Sequence, residues 1–156
     1  MKNCPDKEYL LQLCHKVKEL AETKLARRTG DAVPELKQLL EQYTALTQQP
    51  NYVGCPILHH DLMFNLGCAY EHAGDLEQSI DTHQQLIKQN PDDHMAMYTA
   101  GTNLCKLGRF DEAQGLLERA VELNPHNYDY HYQNNLAYAR RGGPEIVRIQ
   151  ANVPRC

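Results

Sequence analysis

No run of lysine or arginine in this chain is longer than the pairs Arg27-Arg28 and Arg140-Arg141, and the formal net charge is −4. A protein that grips nucleic acid through phosphates needs a basic stripe to displace counterions, so no nucleic-acid partner is expected. The same shortage argues against binding to an anionic membrane surface. No stretch approaches the roughly 18 apolar residues of a membrane-spanning helix, so no membrane insertion is expected. The N-terminal MKNCPDKEYLLQLCHKVKEL carries Asp6 and Glu8 and has no uninterrupted apolar centre, unlike a secretory signal or an acid-poor presequence. The cysteines at 4, 14, 55, 68, 105 and 156 include no CxxC pair and are too sparse for a disulfide scaffold. They read as reduced thiols of an intracellular, cytoplasmic protein. Also missing are a glycine-rich phosphate loop, a GxSxG elbow, an HExxH helix and any useful length of alternating strand pattern.

Helical periodicity is what the chain does have. With 42% hydrophobic residues in 156, it can build an ordered core. Between Asp6 and Arg28, Tyr9, Leu10, Leu13, Val17, Leu20, Ala21 and Leu25 recur at three- and four-residue steps and make one apolar stripe. Thr29-Gly30 ends it. Asp31 is then the expected N-cap and Pro34 an early helical residue, ahead of a second stripe of Val33, Leu36, Leu39, Leu40, Tyr43 and Leu46. Two such stripes joined by a short turn predict an antiparallel hairpin over residues 1–50. It reads as a cap on the later helices, with a short coiled-coil-like contact through Val33, Leu36, Leu40, Tyr43 and Thr47 as the alternative. PNYVGCP, residues 50–56, is a linker by its prolines and glycine. Helices are then expected near 58–73, 76–89, 93–107, 110–123 and 127–141.

The punctuation of these later helices repeats. Gly67, Gly74, Asn90 and Pro91 return, each displaced by 34, as Gly101, Gly108, Asn124 and Pro125. Such a period marks a solenoid, in which each unit buries its apolar face only by stacking on the next. Two helices per period, a glycine turn between them and a proline at the end resemble the tetratricopeptide repeat, or TPR. The resemblance rests on Leu66-Gly67, Tyr70, Gly74, Ile87 and Pro91, then on Gly101, Gly108, Ala113, Ala120 and Pro125. Gly67 and Gly101, with Ala113 and Ala120, let neighbouring helices approach. Gly74 and Gly108 supply left-handed C-caps, and Pro91 and Pro125 stop the second helices. Departures are Met63 and Met97 in the column where the family often has tryptophan, Ser79 in place of alanine and His83 in place of a bulky apolar residue. The fold class expected is all-α, a right-handed α-solenoid with an N-terminal helical hairpin and repeats over 57–156: 60–93, 94–127 and a partial unit over 128–156. In that last unit Tyr138 and Gly142 hold the register of Tyr70 and Gly74, although Asn134-Asn135 replaces Leu-Gly; the alternative is a register slipped by two, with Leu136-Ala137 equivalent to Leu66-Gly67.

The resemblance implies a function. First helices of TPR arrays line a concave groove that takes protein or peptide partners, so the groove would present Asp61, Phe64, Asn65, Cys68 and Glu71, with His72, from the first unit. Met95, Tyr98, Thr99, Thr102, Cys105 and Lys106 would follow from the second, and Tyr132, Gln133 and Ala139 from the third. Phe64, Tyr98 and Tyr132 lie 34 apart and would stack as an aromatic column. Members that clamp the carboxylates of heat-shock proteins use basic side chains at positions that here read Cys68, Thr99, Asp129 and Gln133, so a less charged ligand is implied. The chain would be an adaptor, assembly factor or small scaffold subunit. The alternative is a structural subunit or homo-oligomer that associates through the C-terminal helix face. The tail GGPEIVRIQANVPRC is too broken by glycine and proline for a full second helix, so an apolar flank of the last first-helix would stay bare.

An enzyme or metal protein is the remote reading. In CPILHHD, residues 55–61, cysteine, two histidines and aspartate are all ligand types, but adjacent histidines on a helix point about 100° apart. Cys68 and His72 sit one turn apart, a pairing that any helix offers. His15, His83, His94, His126 and His131 read as surface or turn residues. No catalytic residue, metal ligand or cofactor is assigned.

Overall fold

The structure is a computed structural model and describes residues 6–49 and 55–142. Among the described residues the regular elements are all helical: α1 (Asp6–Leu20), α2 (Val33–Thr47), α3 (Pro56–Ala73), α4 (Leu76–Gln89), α5 (His94–Lys106), α6 (Phe110–Leu123) and α7 (Tyr128–Arg140). None of these helices is long and apolar enough to cross a membrane. The chain divides into two compact units, Met1–Thr82 and His83–Cys156, and the division falls inside α4. Of the expected linker only Cys55 and Pro56 are described, and Pro56 opens α3, where its missing N–H leaves no bond unmade.

In the first unit the apolar stripes meet in one core. Leu13, Val17 and Leu20 of α1, Leu36, Leu39 and Tyr43 of α2, and Leu58, Leu62, Leu66 and Tyr70 of α3 are buried together. Each large side chain so covered contributes about 1.5–3 kcal/mol. The Tyr43 hydroxyl donates to the Cys55 carbonyl at 2.9 Å and accepts the Cys55 N–H at 3.1 Å, tying the start of α3 to α2.

The join between α1 and α2 differs from the sequence expectation. Instead of running as an α-helix to Arg28, α1 widens into a π-helical turn at Ala21–Leu25, and Arg28 takes the left-handed conformation at φ 54°. A 3₁₀ turn, Gly30–Ala32, leads into α2, whose N-cap is Ala32 with no side-chain bond. Asp31 is therefore not the cap. Packing decides this geometry: a Cβ at Gly30 would lie 2.5 Å from Ala73 Cβ and 2.8 Å from its Cα. The turn rests on the last residue of α3 because residue 30 has no side chain.

In the second unit α6 packs against both α5 and α7. A Cβ at Gly101 would sit 2.7 Å from Leu117 Cγ, so the glycine sets how closely α5 and α6 approach. Ala113 and Ala120 are fully buried on α6. Asp93 caps α5 by accepting the Ala96 N–H at 3.0 Å, and Asn127 caps α7 by accepting the Asp129 N–H at 3.0 Å. Gly74, Gly108 and Gly142 end their helices with φ of 83°, 78° and 98°, the left-handed region. Both ends of α7 fall at the register positions of the ends of α5, so the third unit keeps the repeat. The expected short tail, residues 143–156, lies outside the described residues.

His83 corrects one reading. It is fully buried, as are Ser79 and Ile80 on the same helix, because it falls on the apolar stripe of α4. Gln114 is another buried polar residue. Its side-chain amide donates to Glu118 Oε1 at 2.8 Å and to Asn134 Oδ1 at 2.9 Å, bridging α6 to α7. At the matching positions one repeat earlier stand Ile80 and Ala100, so a polar bridge occupies a place where the preceding repeat has apolar side chains.

Candidate functional site

The first-helix face of the first unit is carried by α3. Asp61 is exposed, and Phe64, Asn65, Cys68 and Glu71 are half-buried along one side. The Phe64 ring stacks on His60 at a centroid distance of 5.9 Å. Asn65 turns its amide back to the Asp61 carbonyl at 2.8 Å. Burial, with the Glu71 carboxylate adding to it, pushes the Cys68 thiol up to about 12. That shift disfavours the thiolate, the form in which a cysteine acts as a nucleophile.

The ligand-type residues of CPILHHD are engaged separately. Cys55 is bonded through its backbone to Tyr43, the His59 ring lies 5.7 Å from the Tyr43 ring, and His60 stacks on Phe64. Asp61 Oδ1 is 3.6 Å from His60 Nδ1 at the surface. Among the described residues no three His, Cys, Asp or Glu side chains converge as metal ligands. A cleft of about 340 Å³ lies between α1 and α2, over Leu20 and Leu39 and rimmed by Lys16, Glu19, Glu35 and Gln38. It follows from the side chains of two helix faces, and no motif in the sequence pointed to it.

In the second unit the face is built from α5 and α7. Met95 is 50% and Tyr132 56% exposed, Tyr98 and Thr102 are half-buried, and Cys105 is buried. Thr102 returns its hydroxyl to the Tyr98 carbonyl at 2.8 Å, and Thr99 does the same to Met95 at 3.0 Å. Burial raises the Cys105 thiol above its ordinary value, while the Arg140 charge pulls in the opposite direction.

The aromatic pairing here is not the expected one. Tyr98 stacks on Tyr130, with centroids 4.6 Å apart and planes at 25°, and Tyr132 makes no ring contact among the described residues. Tyr130 is buried, and its hydroxyl meets His94 Nδ1 at 2.9 Å, so His94 is a packing partner and not a loose turn residue. The signal for Tyr130 was in the repeat: it stands in the register position of Ala96, so a large ring replaces a fully buried small residue. Tyr98 and Tyr130 bind the two helices together, and Tyr132 projects beside them.

The C-terminal flank also differs from expectation. Met97 and Gly101, which α5 buries, correspond to His131 and Asn135 on α7, and both of these are exposed. His131 Nε2 contacts the Pro125 carbonyl at 2.8 Å. This flank of α7 is polar.

Residues 61–93 and 94–127 match tetratricopeptide-repeat families. No curated protein matches the chain by sequence. Among solved structures, the C-terminal TPR-containing domain of a putative FK506-binding protein of Plasmodium falciparum is similar, with a TM-score of 0.66, 18% identity, and 92% of this chain and 91% of that one covered. PcrH, solved in complex with the chaperone-binding region of PopB, is similar with a TM-score of 0.54 and 16% identity, over 86% of this chain and 95% of that one. At these identities the likeness establishes the fold, an all-α solenoid of helical repeats. With two sequence repeats in register and the fold to match, residues 61–127 are a pair of tetratricopeptide repeats.

Proposed function

We propose that this protein is an intracellular adaptor, assembly factor or small scaffold subunit that seats a segment of a partner protein on its first-helix faces. The observation that carries the reading is the exposure of Met95 and Tyr132 on helices α5 and α7, where Ala96, Met97 and Tyr130 are buried. Large apolar side chains held open on a rigid helix are the anchors peptide recognition uses. Each one covered supplies about 1.5–3 kcal/mol, and a few of them reach about micromolar affinity after association entropy is subtracted. On the first unit, Phe64 would serve similarly beside Asp61, Asn65, Cys68 and Glu71. PcrH was solved with a segment of its partner, and docking of that kind is what we propose here. The reading gives no side chain a catalytic role and needs no metal or cofactor.

The test is partner recovery by the full chain and by a Met95→Ala/Tyr132→Ala variant. Both side chains are exposed, so the variant should keep its helical circular dichroism. Recovery should fall at least tenfold. Equal recovery would place the interaction elsewhere, and loss only on dilution, with a matching change in oligomeric state, would favour self-association through α7.

A further inference from the structure

Each repeat carries a pair of rings at the same two positions of its first helix: His60 and Phe64, His94 and Tyr98, Tyr128 and Tyr132. Residues four apart lie side by side on a helix, so each pair belongs to one face. The pair on α5 shows what such a face does. His94 and Tyr98 are half-buried, and α7 lays the Tyr130 ring against both, with its centroid 5.7 Å from His94 and 4.6 Å from Tyr98. The Tyr130 hydroxyl meets His94 Nδ1 at 2.9 Å, and the side chain is left only 5% exposed. On α5 the pair is a seat for an aromatic side chain of the next first helix.

On α7 the pair recurs with the opposite burial: Tyr128 is 80% and Tyr132 56% exposed. A single exposed tyrosine is ordinary, because its hydroxyl faces water at little cost. These two repeat, side by side, the arrangement that takes a ring one repeat earlier. Tyr128 replaces His94 with another flat ring that bears a hydrogen-bonding atom. Residues 143–156, GPEIVRIQANVPRC, include no Phe, Tyr, Trp or His, so they cannot supply the ring that such a seat takes. Asp129, exposed in the same turn, is the only formal charge between Pro125 and Ala139.

We infer that Tyr128 and Tyr132 seat an aromatic side chain carried by a helix of a partner protein, which lies against α7 as α7 lies against α5 and places a lysine or arginine near Asp129. The occupant is a helix because a first helix in a repeat array is covered by the next one. It is basic because a carboxylate at this place would face Asp129, whereas a cation is attracted to it. The inference rests on the docking reading above and narrows it: the partner segment at this end is helical, aromatic and basic.

A library of helical peptides selected on the full chain tests this. The wild type should enrich helices with Tyr, Phe or Trp at one position and Lys or Arg within about a turn of it. A Tyr128→Ser/Tyr132→Ser variant should bind the best such helix at least tenfold more weakly, and its circular dichroism should be unchanged because both side chains are exposed. Asp129→Asn should keep the aromatic preference, lose the basic one and remove the salt dependence of binding. Tyr128→Ser alone separates the seat from the docking reading, which uses Met95 and Tyr132. Apolar peptides whose binding falls in Met95→Ala/Tyr132→Ala and not in Tyr128→Ser would overturn the seat and leave the docking face standing. No enrichment from a monomeric wild type would overturn both. No enrichment from a wild-type dimer that Tyr128→Ser/Tyr132→Ser does not form would overturn the choice of partner and give the seat to a second copy of this chain.

Discussion

Helices α5 and α7 occupy the same place in successive repeats, and each is closed just past its end by a left-handed glycine. They are nonetheless opposite in burial: α5 has seven buried residues and α7 has two, Tyr130 and Ala137. Where α5 presents Met97 and Gly101 to a covering helix, α7 carries His131 and Asn135. Punctuation sets where a first helix begins and ends; the residues between decide whether anything can be laid against it. The difference makes α5 an interior helix and gives α7 a flank that tolerates water.

Substitutions at matched positions should break this comparison most visibly in the core. Leu104→Ala, at a site 1% exposed on α5, should lower stability by about 2–5 kcal/mol in urea unfolding. Tyr138→Ala, at the matching half-buried place on α7, should lower it much less. Equal losses would mean that α7 is as enclosed as α5. At the next matched pair, Gly101→Val forces atoms into Leu117 and should cost about 1–3 kcal/mol. Asn135→Ala, at the same place on α7, should change stability by no more than about 0.5 kcal/mol.

The polar bridge between α6 and α7 offers a sharper test. Gln114→Ile alone removes the donor from Asn134 and should cost about 1 kcal/mol. Adding Asn134→Ala restores the pair of residue types found at Ile80 and Ala100, and should recover most of that loss, with a coupling of about 0.5–3 kcal/mol in a double-mutant cycle. Strict additivity would show that the two amides do not act together.

Near neutral pH the ionisation of Cys68 should have no effect; its influence is confined to alkaline pH. Its thiol is raised from 9.0 to about 12 in the folded chain. A group with a raised folded pKa favours the fold while protonated, so its contribution is complete below about pH 9 and is lost as the pH climbs toward about 12. Cys68→Ala should flatten the alkaline limb of the stability profile. An unchanged slope would assign that limb to other groups.

Much of this architecture was legible in the residues. Gly74, Gly108 and Gly142 announce their helix ends because glycine alone adopts a positive φ without strain, and the prolines after the second helices set their limits. The site was legible only in outline. The resemblance to the repeat family pointed to Met95, Tyr98 and Tyr132, yet nothing in the sequence hinted that Tyr98 would stack on Tyr130 or that His94 would hold the Tyr130 hydroxyl. The approach of Gly30 to Ala73, the last residue of α3, was hidden because it joins residues that lie far apart in the chain.

By itself the sequence determined the helices from α3 onward, the repeat register and the likeness to tetratricopeptide repeats, because these depend on local conformational preference and on a stripe of apolar residues repeating within a few turns. Tertiary structure alone decided which tyrosine is buried and which is offered outward, and why His83 lies in the interior. Those outcomes depend on which side chains from distant turns share a space, and burial and hydrogen bonding are properties of that shared space rather than of any residue alone.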